Sequence, residues 1–169
     1  MSYRLDLKKK FLQRSERAKA VDLHPTEPWV LSALYNGQVL IQDIDNQKVI
    51  KTFTVSEQGL PVRTAKFIPR KKWIITGSDD MIVRVFNYST GQLEHSFEAH
   101  TDYIRHISIH PTKPLFVTTG DDMSARLWNW EKNFHLEMTF EQHTHYVMNS
   151  RYVLVRFLTR LTRLTVANH

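Results

Sequence analysis

The chain is predicted to be all-β, a partial propeller of three four-stranded blades and the start of a fourth. Three observations carry this. First, three stretches repeat one another when aligned on a proline: RAKAVDLHPTEPWVLSALYNG from Arg17, VRTAKFIPRKKWIITGSDD from Val62 and IRHISIHPTKPLFVTTGDD from Ile104. The anchors Pro25, Pro69 and Pro111 are 44 and 42 residues apart, the period of one propeller blade. Second, aromatic residues keep the same register. Phe53, Phe97 and Phe140 fall 28, 28 and 29 residues after their prolines, and Phe86 and Trp128 both fall 17 after theirs. Third, residues 11–148 show no helical periodicity; short apolar runs alternate there with turn residues.

Each repeat supplies four strands. The first is expected at Ala18–His24, Val30–Leu34, Val39–Gln42 and Val49–Phe53. The second is expected at Val62–Ile68, Trp73–Thr76, Ile82–Phe86 and Leu93–Phe97. The third is expected at Ile104–His110, Leu115–Thr119, Ser124–Trp128 and Leu136–Phe140. His-Pro-Thr-x-Pro follows the innermost strand in repeats one and three. Asn36-Gly37, Asp79-Asp80 and Asp121-Asp122 follow the second strand as hairpin turns. The strands are apolar on both faces, as expected where sheets pack on each side. Blades are placed at about residues 11–54, 55–98 and 99–141, with the start of a fourth at 142–148.

At residue 149 the repeat stops. Residues 149–169, NSRYVLVRFLTRLTRLTVANH, carry four arginines and no acid. They supply +4 of the net charge of +6, leaving +2 for the remainder. The basic balance is therefore a property of this tail and not a nucleic-acid signature of the whole. Read as a helix, Leu154, Leu158, Leu161 and Leu164 line one side and Arg156, Arg160 and Arg163 another, a basic amphipathic pattern. A tail foreign to the repeat is the preferred reading, and it leaves an inner sheet edge open to self-association. There is no cysteine, so disulfides and thiolate metal sites are excluded. No run of 18 apolar residues and no secretory leader are present. Lys8–Lys10 read as a solvated edge strand.

The polar residues divide by register. In the third blade His100, Thr118 or Thr119, Asp122 and Trp128 stand where a WD40 blade places its hydrogen-bonded tetrad. A buried carboxylate needs such donors, so Asp122, and Asp80 by register, are read as structural. Their neighbours Asp79 and Asp121 match Tyr35, at a turn that opens on one rim. Six residues before each anchor proline stand Lys19, Arg63 and Arg105, with Arg17 two residues earlier than Lys19. Cations repeated in register at the start of the innermost strand ring the mouth of a central channel and make an anion site. Solvated turns and scattered surface charge would also account for these residues; the shared register favours a site. Arg17, Lys19 and Arg63 could then hold a carboxylate or phosphate, and Asp79, Asp102 and Asp121 could hold cations. His143 falls where His100 does, one blade later, which favours a tetrad histidine over a metal ligand. No nucleophile elbow, phosphate loop or HExxH motif occurs. Neither catalysis nor a cofactor is expected.

The segments HPTEPWVLSALYNG, PVRTAKF, DDMIVRVFNYSTG, FEAHTDYIRHISIHPTKP, DDMSARLWNWE and HTHYVM resemble the N-terminal WD40 propeller of the coatomer beta-prime family. The resemblance covers about residues 3–148. It implies a part in the COPI coat of vesicles that return cargo from Golgi to endoplasmic reticulum. It implies a cytoplasmic location, peripheral on Golgi membranes and coated vesicles, with other coatomer subunits as partners and no nucleic acid. In the family this propeller binds C-terminal dilysine signals, KKxx or KxKxx, of cargo membrane proteins. The matching residues here are Arg17, Lys19 and Arg63 for the terminal carboxylate. Asp102 and Asp121, with Tyr35 beside them, match for the signal's lysines, and Tyr146 falls at another contact position. Two rivals stand beside this reading: a general WD40 scaffold for protein partners, and a membrane or nucleic-acid binder acting through residues 151–164. A truncated, inactive product is a further possibility.

Overall fold

A computed structural model of the chain describes residue 10, residues 15–152 and the backbone of residues 164–165. Three four-stranded antiparallel sheets follow one another. The first holds β1 (Ala18–Leu23), β2 (Trp29–Leu34), β3 (Gln38–Asp43) and β4 (Lys48–Thr54). The second holds β5 (Val62–Ile68), β6 (Trp73–Ser78), β7 (Ile82–Asn87) and β8 (Leu93–Glu98). The third holds β9 (Ile104–Ile109), β10 (Leu115–Gly120), β11 (Ala125–Asn129) and β12 (His135–Phe140). Each sheet is a meander in chain order, so neighbours in sequence are neighbours in space. This is the all-β architecture of a partial WD40 propeller. Every expected strand in these three repeats is present, with ends within two residues. Among the described residues there is no α-helix, only a 3₁₀ turn at Pro69–Lys71.

The core lies between sheets. Leu31, Ile41 and Phe53 of the first sheet meet Val62, Phe67, Ile74 and Phe86 of the second. Val83, Val85 and Ile75 of the second meet Ile104, Ile107, Phe116 and Trp128 of the third. The register aromatics make the contact: Phe53 packs on Phe86 with ring centroids 5.4 Å apart, and Phe97 on Trp128 at 4.8 Å. A sheet with two apolar faces can bury both only against flanking sheets, which is why the blades stack. Gly77 marks the closest approach, since a Cβ there would sit 2.6 Å from Cγ2 of Ile104.

The third blade closes around a buried relay. Trp128 Nε1–H donates to Thr118 Oγ1 at 2.9 Å, and Thr118 Oγ1 bonds His100 Nε2 at 2.7 Å. His100 Nδ1 donates to Asp122 at 2.9 Å. Thr118, not Thr119, is the tetrad threonine; the Thr119 hydroxyl is buried without a partner. Asp122 also accepts from Ser124 N–H and Oγ–H, Thr101 N–H and Arg126. Burial alone would raise its pKa. The bonds from His100 and Ser124 outweigh that and hold the carboxyl well below the usual range. Asp80 is structural in the same way, bonded to Ser78 Oγ at 2.6 Å and Arg84 at 2.7 Å. The His-Pro-Thr motif is explained too. His24 Nδ1 accepts Glu27 N–H at 3.1 Å, and His110 Nδ1 accepts those of Thr112 and Lys113 at 3.1 and 2.9 Å.

Beyond the third blade, residues 144–150 carry no strand ladder, yet they dock as a further blade's opening would. Val147 is fully buried and donates its N–H to Gly120 O at 3.1 Å. Ser150 N–H meets His106 Nδ1 at 3.4 Å. One blade earlier, Ile107 N–H meets Thr64 Oγ1 at 3.2 Å in the same register. The chain then forms β13 (Arg151–Tyr152), paired antiparallel with β14 (Leu164–Thr165). Leu164 is thus on a strand, and an amphipathic helix does not run through it. The β-branched neighbour Thr165 suits the ladder better than a helix. Residues 153–163, and Lys8 and Lys9 of the expected edge strand, lie outside the described residues.

Two pH windows follow for stability. Burial, aided by Lys66 and opposed by Asp22, lowers the His106 imidazole to about 4. The unfolded chain binds that proton near 6.5, so this contribution is complete above pH 6.5 and falls as pH drops toward 4. Asp122 adds a loss only below about pH 4, the ordinary carboxylate value. Urea midpoints measured from pH 7 to 3 are expected to fall in both windows, and His106→Gln to reduce the loss in the upper one alone, where His110, also lowered by burial, still contributes. Asp122→Ala is expected to cost about 3 kcal/mol at pH 7, since it strips a buried polar network of its charge.

Candidate peptide-binding rim

Every innermost strand carries a β-bulge at one place, and the bulged residue is the cation. In β1 the pairing steps from Ala18 to Ala20, leaving Lys19. In β5 it steps from Val62 to Thr64, leaving Arg63. In β9 it steps from Ile104 to His106, leaving Arg105. A bulge inserts one residue, bends the strand and re-aims a side chain. Here it turns a cation out of the strand's alternation toward the turn between the second and third strands. That turn is clamped in each blade by one backbone bond. Tyr35 N–H donates to Arg17 O at 2.9 Å, Asp79 N–H to Pro61 O at 3.0 Å and Asp121 N–H to Tyr103 O at 3.0 Å.

The first residue of the turn therefore stands beside the bulged cation. In the second blade Arg63 grips Asp79 with two parallel bonds, through Nε and through Nη2 at 2.7 Å. In the third Arg105 grips Asp121 likewise, through Nε at 2.5 Å and through Nη2. Both acids are nearly buried, at 7% and 6% exposure. In the first blade the acid is replaced by Tyr35. Among the described residues Lys19 has no carboxylate within ion-pair distance. Burial lowers its pKa, and the charges of Arg17, Arg63 and Arg105 lower it further, against Asp79. Three guanidinium groups thus act on the Lys19 ammonium, and among the described residues neither Lys19 nor Arg17 is ion-paired to a carboxylate, whereas Arg63 and Arg105 are.

Aromatic rings floor this rim. The guanidinium of Arg17 lies 5.8 Å from the Tyr35 ring centre, Arg63 5.5 Å from that of Tyr103, and Arg105 6.0 Å from that of Tyr146. All three rings are 42–47% exposed. Asp102 sits at the start of the third blade, half-buried, accepting Tyr103 N–H at 2.7 Å. Its charge reaches Arg105 together with those of Asp121 and Asp79. The residues expected at the rim are thus together: Arg17, Lys19, Arg63 and Tyr35 on one side, Asp102, Asp121 and Tyr146 around Arg105. The sequence reading treated Asp79 and Asp121 as free acids; the structure pairs both with arginine. It also missed Tyr103. The Arg–Asp pairs had a signal in the broken alternation of Arg63-Thr64 and Arg105-His106, two successive polar residues where the register shifts. Among the described residues no group of three His, Asp or Glu side chains converges as a metal site.

The repeats and the sheets define the class: residues 47–87 and 91–129 match the WD domain, G-beta repeat, and the chain is a WD40-repeat propeller segment. It is similar, within that class, to the N-terminal region of the coatomer beta-prime subunits. Identity is 55% to coatomer subunit beta' of Mus musculus, 54% to that of Rattus norvegicus and 56% to that of Drosophila melanogaster, each over 148 residues and 88% of this chain. The chain spans 16% of the length of these relatives.

Placing an acid at the turn of the first blade would complete a third pair. Tyr35→Asp is expected to raise the pKa of Lys19 toward its ordinary value. NMR titration of the Lys19 amine reads this directly; an unmoved titration would contradict the vacancy described above.

Proposed function

We propose that this rim recognises the C-terminal dilysine tails of cargo membrane proteins, as part of a coat that works on the cytoplasmic face of Golgi membranes. The observation that carries the reading is Lys19, a cation in a cluster of four with no carboxylate partner among the described residues, on the same rim as Asp102. A peptide ending in a free carboxylate, with lysines a few residues back, complements that polarity. The terminal carboxylate meets Arg17, Lys19 and Arg63. The lysines lie toward Asp102 and Asp121, with the Tyr35 and Tyr146 rings packing against their aliphatic stems. The carboxylate requirement separates a chain end from an internal lysine pair. The role is recognition, not catalysis, and association with other coat subunits follows from the same likeness.

The affinity expected is modest. A charge-assisted hydrogen bond contributes about 1.5–3 kcal/mol, and ordering of the peptide offsets much of the sum. A Kd of about micromolar, roughly −8 kcal/mol, is expected, with avidity supplied by an assembled coat. The test is fluorescence anisotropy of a labelled dilysine-tail peptide beside its C-terminally amidated twin. The free acid should bind and the amide should not. Lys19→Ala should weaken the free acid by about tenfold or more, equivalent to at least ~1.4 kcal/mol. Binding that survives amidation would instead favour a general protein scaffold, and binding to neither would overturn the reading.

A further inference from the structure

The four-cation mouth raises a question of geometry that charge alone does not answer. A guanidinium on a long side chain has many rotamers, and an anion seat needs it in one. Three observations concern Arg63. Two of its five N–H donors are spent on the two oxygens of Asp79. Its Nη1 makes no hydrogen bond among the described residues, so at least two donors stay unspent. The Tyr103 ring lies against the guanidinium, 5.5 Å from centre to Cζ. Asp79 itself is held: its N–H is tied to Pro61 O at 3.0 Å, its carboxylate is 7% exposed, and the next residue, Asp80, is locked into the blade by Ser78 and Arg84.

We infer that Asp79 is a positioning residue for the carboxylate seat: it does not touch the peptide but fixes the Arg63 guanidinium with its free N–H edge available to the ligand. The inference rests on the dilysine reading. It departs from the expectation that Asp79 is one of the acids that hold a ligand cation. Both of its oxygens are occupied and almost no surface of it is open. The bulge at Arg63 is what brings the two groups together, since in a regular strand alternation the side chain would leave the turn. The same fork in the third blade holds Arg105 on Asp121, beside Asp102, where the ligand's positive groups are proposed to lie. Asp79 alone among the paired acids acts on the Lys19 end.

A test follows from the sign of the effect. If Asp79 only neutralised Arg63, Asp79→Asn would leave the mouth more positive and tighten the free-acid peptide. If it positions Arg63, the same change weakens the free acid. The expected loss is about fivefold to tenfold, the size of one oriented charge-assisted bond. The amidated twin should not move, so the acid-to-amide ratio falls. On an Arg63→Gln background Asp79→Asn should no longer weaken the free acid, since only its charge on Lys19 is then removed. Unchanged or tighter binding, or an equal loss without Arg63, overturns the inference. Thermal melting checks that each variant folds. A measurement on the unaltered chain stands apart from folding and from peptide: the Arg63 Nε–H resonance should be resolved and slowly exchanging. Coincidence with solvent-exposed arginines would overturn the brace. If the unaltered chain binds neither peptide, the dilysine reading falls and the positioning role with it, while the resonance still reports whether the brace exists.

Discussion

The bulge in the innermost strand of each blade is the constraint on which the rim depends. It solves a conflict between packing and function. A cation in a packed strand needs an acid beside it, as Lys66 has in Asp22 and Arg84 in Asp80. One extra residue, left out of the ladder, takes the cation out of the sheet and leaves Ala18 and Ala20, Val62 and Thr64, and Ile104 and His106 as the flanking ladder positions. The backbone bond from the turn to the residue before the bulge then fixes where the cation meets the turn. Because the blades share this device, one substitution at the turn changes one site without disturbing the others. Tyr35 in place of an acid is that substitution. Among the described residues it leaves the neighbouring Lys19 without a carboxylate, which is the feature the proposed anion seat uses.

The same register binds the blades to each other. The tetrad of the third blade draws on His100, a residue of the connection that arrives from the second sheet, so folding of that blade requires the approach of its predecessor. The second blade lacks the full set. Thr76 Oγ–H donates to Arg84 O at 3.2 Å, and Phe86 stands in the place of Trp128. Its stability rests more on the aromatic contact with Phe53 and on the Asp80 cluster. Glycine and strain show the same economy at the turn. Gly37 has φ +84° and a Cβ there would lie 2.8 Å from Ser56 O. The equivalent residues Met81 and Met123 adopt φ of 67° and 61°, a left-handed conformation that an L-residue takes at a cost of roughly 1–2 kcal/mol. Packing between blades supplies what the local backbone does not favour.

Much of this was legible in the amino-acid sequence. Three proline-anchored repeats and the aromatic spacing placed twelve strands, because each is a consequence of one pattern met three times. The division of the Asp-Asp pairs into a structural and a rim member also follows from register: Asp80 and Asp122 face the blade, Asp79 and Asp121 the rim. What the sequence did not disclose is who pairs with whom. Arg63 and Asp79 are 16 residues apart, as are Arg105 and Asp121, and only the bulge sets them within bonding distance. A period-two reading of β5 or β9 puts the cation on the wrong side. The tail was less legible, because Leu and Arg at mixed spacing fit a helix or a strand until a partner strand is known, and Leu164 proved to have one.

The rim's polarity is the last consequence. A charge pair that is already complete has little to offer a ligand, since breaking a buried fork to make a new one gains nothing net. Asp121, forked by Arg105, can therefore take a ligand ammonium only as an added partner on its remaining lone pairs, with Arg105 still in place. Asp102, whose bond in the structure is to its neighbour's N–H, has more to give. On the other side Lys19, crowded by Arg17, Arg63 and Arg105, has no ion pair with a carboxylate among the described residues. On the proposed reading, Lys19 and Asp102 would set the direction in which a bipolar peptide lies. The paired groups between them set its distance by holding the rim rigid. Specificity in such a site comes from which positions in the repeat are left incomplete, and the completed ones supply the geometry that makes the incomplete ones selective.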